Sequence, residues 1–219
     1  MPRAVFLDYT GTITQEGGAD LEEMAGRLVR GSTAGDVKTL MDWWLANLER
    51  QEEASWKESF ISEEDIIMVL LHQMEKEFRL KENLAEIQQL NKNYWMYAPI
   101  FSDVRPFLAQ CPLPVYIITN NSEQYVRVCL KRNELHVNGI ICGDSVRAYK
   151  PRREIFLQAL RVSGTAPQDA LMVGDTVASD VLGAQAAGMD AILLDRRRRN
   201  EDERIRKVSS LMDLLRILK

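Results

Sequence analysis

A chain of 219 residues that is 46% hydrophobic and 27% charged has the length for one α/β core plus an inserted subdomain, and its composition excludes disordered and fibrous classes. A formal net charge of −4 gives no overall attraction to nucleic acid or to an anionic membrane, so neither partner is expected, and a small anionic ligand would need local positive groups. No apolar stretch reaches the ~18–20 residues of a membrane span, the run at residues 4–7 is too short for a signal peptide, and Cys111, Cys129 and Cys142 form no CxxC pair, so the expected compartment is a reducing cytoplasm.

The run Ala4, Val5, Phe6, Leu7 stops at Asp8, as a strand buried on both faces stops at a site. Gly17 and Gly18 then give a flexible exit, and from Asp20 to about Tyr97 the pattern turns helical. One apolar face carries Leu21, Met24, Ala25 and Leu28, a second Val37, Leu40, Trp44 and Leu48. A third carries Ile66, Ile67, Leu70, Leu71 and Met74, with Ser62 and Asp65 as a capping pair, and a fourth Leu84, Ile87, Leu90 and Tyr94. Four such stripes bury one another in a helical bundle. From Pro99 onward, strand patterns at 115–118, 139–142, 170–173 and 191–194 alternate with helical patterns near 122–131, 152–162 and 180–187, and a last helix covers 209–218. Alternation of this kind predicts an α/β fold with a parallel sheet covered by helices on both faces. His72 and His136 share no ligand spacing, and the four arginines at 196–199, followed at once by Glu201, Asp202 and Glu203, read as a solvated loop.

Ligands of open α/β sheets bind beyond the carboxyl ends of the strands. Three runs end in similar polar groups: Asp8-Tyr9-Thr10-Gly11-Thr12, Thr119-Asn120-Asn121-Ser122, and Gly174-Asp175 continuing to Asp180; Lys150 precedes Pro151 at the start of a helical pattern. If Asp8, Asp175 and Asp180 converge, their mutual repulsion calls for a cation. Oxygen donors without histidine or cysteine suit Mg2+. With the metal, Lys150 would hold a phosphoryl group, and Thr119, with backbone N–H groups near Asn120, would hydrogen-bond its oxygens.

These four segments, in this order, resemble the four motifs of the haloacid dehalogenase superfamily of hydrolases: Asp8 with Gly11 and Thr12, then Thr119, Lys150, and the pair Asp175 and Asp180. The resemblance covers nearly the whole chain. It implies a Rossmann-like parallel-sheet core of residues 1–14 and 99–219 and an inserted helical-bundle cap of residues 15–98. It also implies that Asp8 attacks the substrate and that water then hydrolyses the aspartyl intermediate. The expected activity is that of a Mg2+-dependent phosphatase on a small phosphorylated metabolite, with Asp8, Thr119 and Lys150 catalytic, Thr119, Asn120 and Lys150 on the substrate, and Asp8, Thr10, Asp175 and Asp180 on the metal.

The sequence departs from that pattern at Thr10. Phosphatases of the superfamily carry there a second aspartate that protonates the leaving alcohol and then activates water, and a threonine hydroxyl does not titrate near neutral pH. Its backbone carbonyl remains a metal ligand. Glu16 is the candidate substitute acid. Carbon–phosphorus or carbon–halogen cleavage, which dispenses with the second aspartate, and a phosphate-binding regulatory module with little turnover are the alternative readings.

Overall fold

The computed structural model describes residues 1–218. Val5 and Leu7 point to one face of the sheet and Ala4 and Phe6 to the other, and all four are buried, because side chains alternate along a strand and both faces are covered. This strand, β1 (Ala4–Leu7), pairs in parallel with β2 (Val115–Thr119) on one side and β4 (Ala170–Gly174) on the other. With β3 (Gly139–Cys142), β5 (Asp190–Leu194) and β6 (Lys207–Val208), the sheet runs β3-β2-β1-β4-β5-β6, parallel throughout. The order reverses direction beside β1, which makes the carboxyl end of β1 the point where loops diverge and leave a crevice.

One face is covered by α5 (Val104–Gln110), α6 (Glu123–Arg132) and α10 (Leu211–Ile217), whose Phe107, Val126 and Leu214 pack on Leu7, Ile117 and Val173. The other is covered by α8 (Arg153–Ser163) and α9 (Gly183–Ala186), with Phe156 and Ala184 against Phe6 and Met172. The short helix α7 (Gly143–Val146) follows β3. The predicted helix at 180–187 begins earlier than expected: a π-helical segment, Val177–Leu182, leads into α9.

The insert contains α1 (Ala19–Arg30), α2 (Val37–Ala54), α3 (Glu63–Glu77) and α4 (Leu84–Tyr97). Met24, Leu28, Leu40, Trp44, Ile66, Leu70, Met74 and Ile87 form its core, and full burial of each such side chain contributes ~1.5–3 kcal/mol. The capping pair forms as its spacing predicts, the Asp65 N–H donating to Ser62 Oγ at 3.2 Å and Ser62 Oγ donating to Asp65 Oδ2 at 2.7 Å. The bundle rests on the sheet domain: Tyr9 Oη donates to the Trp95 carbonyl at 2.8 Å, Tyr149 Oη to the Ile61 carbonyl at 3.0 Å, and Tyr125 Oη to Glu64. Cys111, Cys129 and Cys142 are unpaired thiols. Among the described residues, no helix is long and apolar enough to cross a membrane.

The arginine run is not wholly solvated. Arg197, Arg198 and Arg199 are exposed, but Arg196 binds both oxygens of Asp103 at 2.8 and 3.1 Å, donates to the Thr12 carbonyl at 2.8 Å and stacks over Phe101. It ties the loop after β5 to the turn that follows β1.

Candidate active site

Chain direction and strand order bring Asp8, Thr119 and Asp175 to one edge of the sheet, since β1, β2 and β4 are adjacent and each residue ends or follows its strand. The backbone after Asp8 turns back tightly, with the N–H groups of Ile13 and Thr14 donating to the Tyr9 carbonyl at 2.8 and 2.9 Å. Gly11 sits in that turn at φ +84°, and a Cβ there would lie 2.2 Å from Asp175 Oδ2. Glycine is required both for the conformation and for the approach of the second carboxylate.

Lys150 Nζ lies 2.6 Å from Asp8 Oδ1 and 2.6 Å from Asp180 Oδ1, with all three side chains buried. The lysine is aimed from behind: its own N–H donates to Asn120 Oδ1 at 2.8 Å. Asp180 is fixed on its other oxygen by the Thr176 N–H at 3.0 Å, a contact that Gly174 permits, because a Cβ there would fall 2.3 Å from the Asp180 carboxyl. Each of Asp8, Asp175 and Asp180 offers an oxygen within 4.8 Å of the others.

This cluster is short of positive charge. Burial, with repulsion from Asp180, raises the Asp8 carboxyl to about 6 despite Lys150, and burial with repulsion from Asp8 and Asp180 raises Asp175 to about 8. Burial opposes the charged form of Lys150, but Asp180 and Asp8 outweigh it and hold the ammonium above its usual range. Among the described residues, buried Asp8 Oδ2 has no hydrogen-bond partner. Three hard oxygen donors, one of them an orphaned carboxylate oxygen, fit a divalent cation of the magnesium type.

Thr10 and Thr119 meet at Asn121. Their hydroxyls lie 2.9 and 3.3 Å from Asn121 Oδ1, and the Asn121 N–H donates to Thr119 Oγ1 at 3.1 Å. The opposite end of the same amide, Nδ2, donates to both oxygens of Glu63 at 2.9 and 3.0 Å. Glu63 is the first residue of α3 and is 4% exposed. Sequence reasoning missed it, because an acid in the first turn of a helix is ordinarily a solvated residue favoured by the helix dipole. Glu16, the substitute acid expected from the sequence, is exposed on the loop after β1 and only loosely paired with Arg197 at 4.0 Å.

The cavity above the cluster measures about 470 Å³. Its floor is Asp8, Thr10, Thr119, Asn120, Lys150 and Asp175, and its roof is largely apolar, with Met24, Trp44, Leu48, Ile67 and Trp95 from the helical insert.

A model of the haloacid dehalogenase-like hydrolase family matches residues 2–188. The chain belongs to that family. As a haloacid dehalogenase-like hydrolase it is an enzyme, with the Rossmann-like core and inserted helical cap of that architecture. It is 27% identical over 218 residues to a phosphatase of Mycobacterium tuberculosis, covering 97% of this chain and 96% of the relative. It is 34% identical over 109 residues to the phosphoserine phosphatase of Thermus thermophilus, a match that spans 48% of this chain and only 44% of that protein. In fold, the hydrolase superimposes on the L-2-haloacid dehalogenase of Xanthobacter autotrophicus with a TM-score of 0.80 at 18% identity, covering 100% of this chain and 98% of the other.

Proposed function

We propose that this hydrolase is a Mg2+-dependent phosphatase that cleaves a small phosphorylated metabolite through an aspartyl-phosphate on Asp8. The observation that carries the proposal is the charge deficit of the Asp8, Asp175 and Asp180 cluster, with its unpartnered Asp8 Oδ2. Asp8, Asp175 and Asp180, with the Thr10 carbonyl, would hold the metal. Bound there, magnesium supplies the positive charge that lets the acids ionise together and that neutralises phosphoryl oxygens.

The chain's own groups do the rest. Lys150 pins Asp8 Oδ1, so the nucleophile is oriented before substrate arrives. Thr119 and the neighbouring Asn120 line the same floor and hydrogen-bond phosphoryl oxygens, while Lys150 offsets the charge they develop. The Asp8 carboxylate attacks phosphorus, the alcohol departs, and water then releases phosphate. The apolar roof excludes bulk water and shapes the leaving-group site. Residues 1–14 with 99–219 act as the catalytic unit and 15–98 as the cap, in a reducing cytoplasm that suits three free thiols.

Relatives named as phosphatases agree with this reading. Dehalogenation is disfavoured because attack of Asp8 on a carbon–halogen bond has no use for a cation, whereas Asp8, Asp175 and Asp180 converge on a site for one. The test is a panel of phosphorylated metabolites assayed with Mg2+ and with chelator. Hydrolysis that needs Mg2+ and is lost in Asp8→Asn supports the proposal; release of halide from haloacids, with no phosphate released from any ester, refutes it.

A further inference from the structure

The phosphatase reading leaves the leaving alcohol without a proton donor. Residue 10 is a threonine, and its hydroxyl is already engaged, donating to Asn121 Oδ1 at 2.9 Å. The same Asn121 amide presents its Nδ2 to both oxygens of Glu63, at 2.9 and 3.0 Å. One amide group therefore separates the hydroxyl of residue 10 from a carboxyl group delivered by the cap. Glu63 also lines the cavity that holds Asp8, Lys150 and Asp175.

Resting on the phosphatase reading, we propose that Glu63 is the general acid and base of the reaction, replacing the carboxyl missing from position 10. In the first step Asp8 attacks phosphorus, the bond from phosphorus to the leaving oxygen breaks, and the Glu63 proton passes to that oxygen to give the neutral alcohol. In the second, the Glu63 carboxylate takes a proton from the water that attacks the aspartyl-phosphate. The bond from phosphorus to Asp8 then breaks, and hydrogen phosphate leaves with Glu63 protonated again.

The surroundings of Glu63 suit that role. No cation pairs with it among the described residues, and its side-chain partner is a neutral amide. Burial, followed by repulsion from Glu52 of α2 and from Asp144 of α7, keeps its carboxyl well above the usual range even though Asn121 favours the ionised form. An acid of that kind holds its proton until a leaving group needs it. Glu16 lines the same cavity, but from an exposed loop where it faces Arg197 at 4.0 Å. Because Glu63 comes from α3, the acid joins the site only when the cap sits on the core, which couples closure to proton transfer.

A purely structural role, with Glu63 latching the cap to Asn121, is the competing explanation. Glu63→Gln separates the two, since glutamine keeps the volume and an oxygen for Asn121 but carries no transferable proton. The assay compares kcat/KM for para-nitrophenyl phosphate, whose leaving group needs no proton, with benzyl phosphate, whose leaving group does. Glu63→Gln should lower kcat/KM on benzyl phosphate ~100-fold or more and on para-nitrophenyl phosphate by less than ~3-fold. Thr10→Asp added to that variant should restore the benzyl phosphate rate. Glu63→Asp, an acid one methylene shorter, should fall between wild type and Glu63→Gln. Equal losses on both esters, or none on either, overturn the proposal. Failure of the wild-type chain to hydrolyse para-nitrophenyl phosphate in an Asp8-dependent way would instead remove the phosphatase reading beneath it.

Discussion

Replacing Lys150 by methionine tests the electrostatic construction of the site. The ammonium lies 2.6 Å from both Asp8 and Asp180, and the three side chains are 5%, 8% and 1% exposed, so water screens the contacts little. Removing one partner from a buried ion pair costs ~3–5 kcal/mol, because an uncompensated charge remains. In a domain of this size each kcal/mol moves Tm by ~2–4 °C, so Lys150→Met should lower Tm by ~6–20 °C at pH 8 in EDTA. The loss should shrink at low pH. Without Lys150, Asp8 loses the cation that opposes its rise to about 6 and climbs further. A carboxyl with a raised folded-state pKa supports the fold below its unfolded pKa and withdraws that support as pH rises through the folded value. At pH 5 Asp8 is protonated in the variant and the penalty is partly relieved. Thermal unfolding followed by circular dichroism at the two pH values makes the comparison; a drop under ~2 °C at pH 8, or an equal drop at pH 5, refutes the reasoning.

The metal-free wild type should itself lose stability between about pH 4 and pH 8, since Asp8 and Asp175 hold protons to about 6 and about 8 when folded. Mg2+ should bind more tightly across the same interval and displace protons, which calorimetry in buffers of different ionisation enthalpy would detect as buffer-dependent heats; buffer-independent heats would contradict this. Gly11→Ala should abolish turnover, because its Cβ would meet Asp175 Oδ2 at 2.2 Å on a backbone at φ +84°; retained kcat would show that Asp175 is free to move without consequence.

The site was legible in the sequence wherever chemistry coincided with the end of a strand. Asp8, Thr119 and Asp175 stand at such ends, and the structure brings them together with Lys150 and Asp180. The cap helices were legible through their apolar stripes, although only α3 buries its stripe in full: Val37 at the start of the α2 stripe is 49% exposed, and the buried faces of α2 and α4 also take in Asn47 and Asn91. Other features depend on tertiary contacts that leave no local pattern. Strand β6 has two residues and is recruited by β5. Helix α5 shows only Val104 and Phe107 as buried positions around Pro106, too few for periodicity. Arg196 is hidden in a charged run and is distinguished by partners distant in the chain, Asp103, 93 positions away, Phe101 and the Thr12 carbonyl. Glu63 looks like an ordinary helix-start acid until the cap folds it against Asn121.

Phosphatase chemistry at this site requires a transient bond between phosphorus and Asp8. Acid quenching during turnover of para-nitrophenyl phosphate with Mg2+, followed by peptide mass spectrometry, should find a phosphoryl adduct on the peptide that carries Asp8, and none in Asp8→Asn. Sustained hydrolysis by Asp8→Asn, or a phosphoryl group trapped on any other residue, would contradict it.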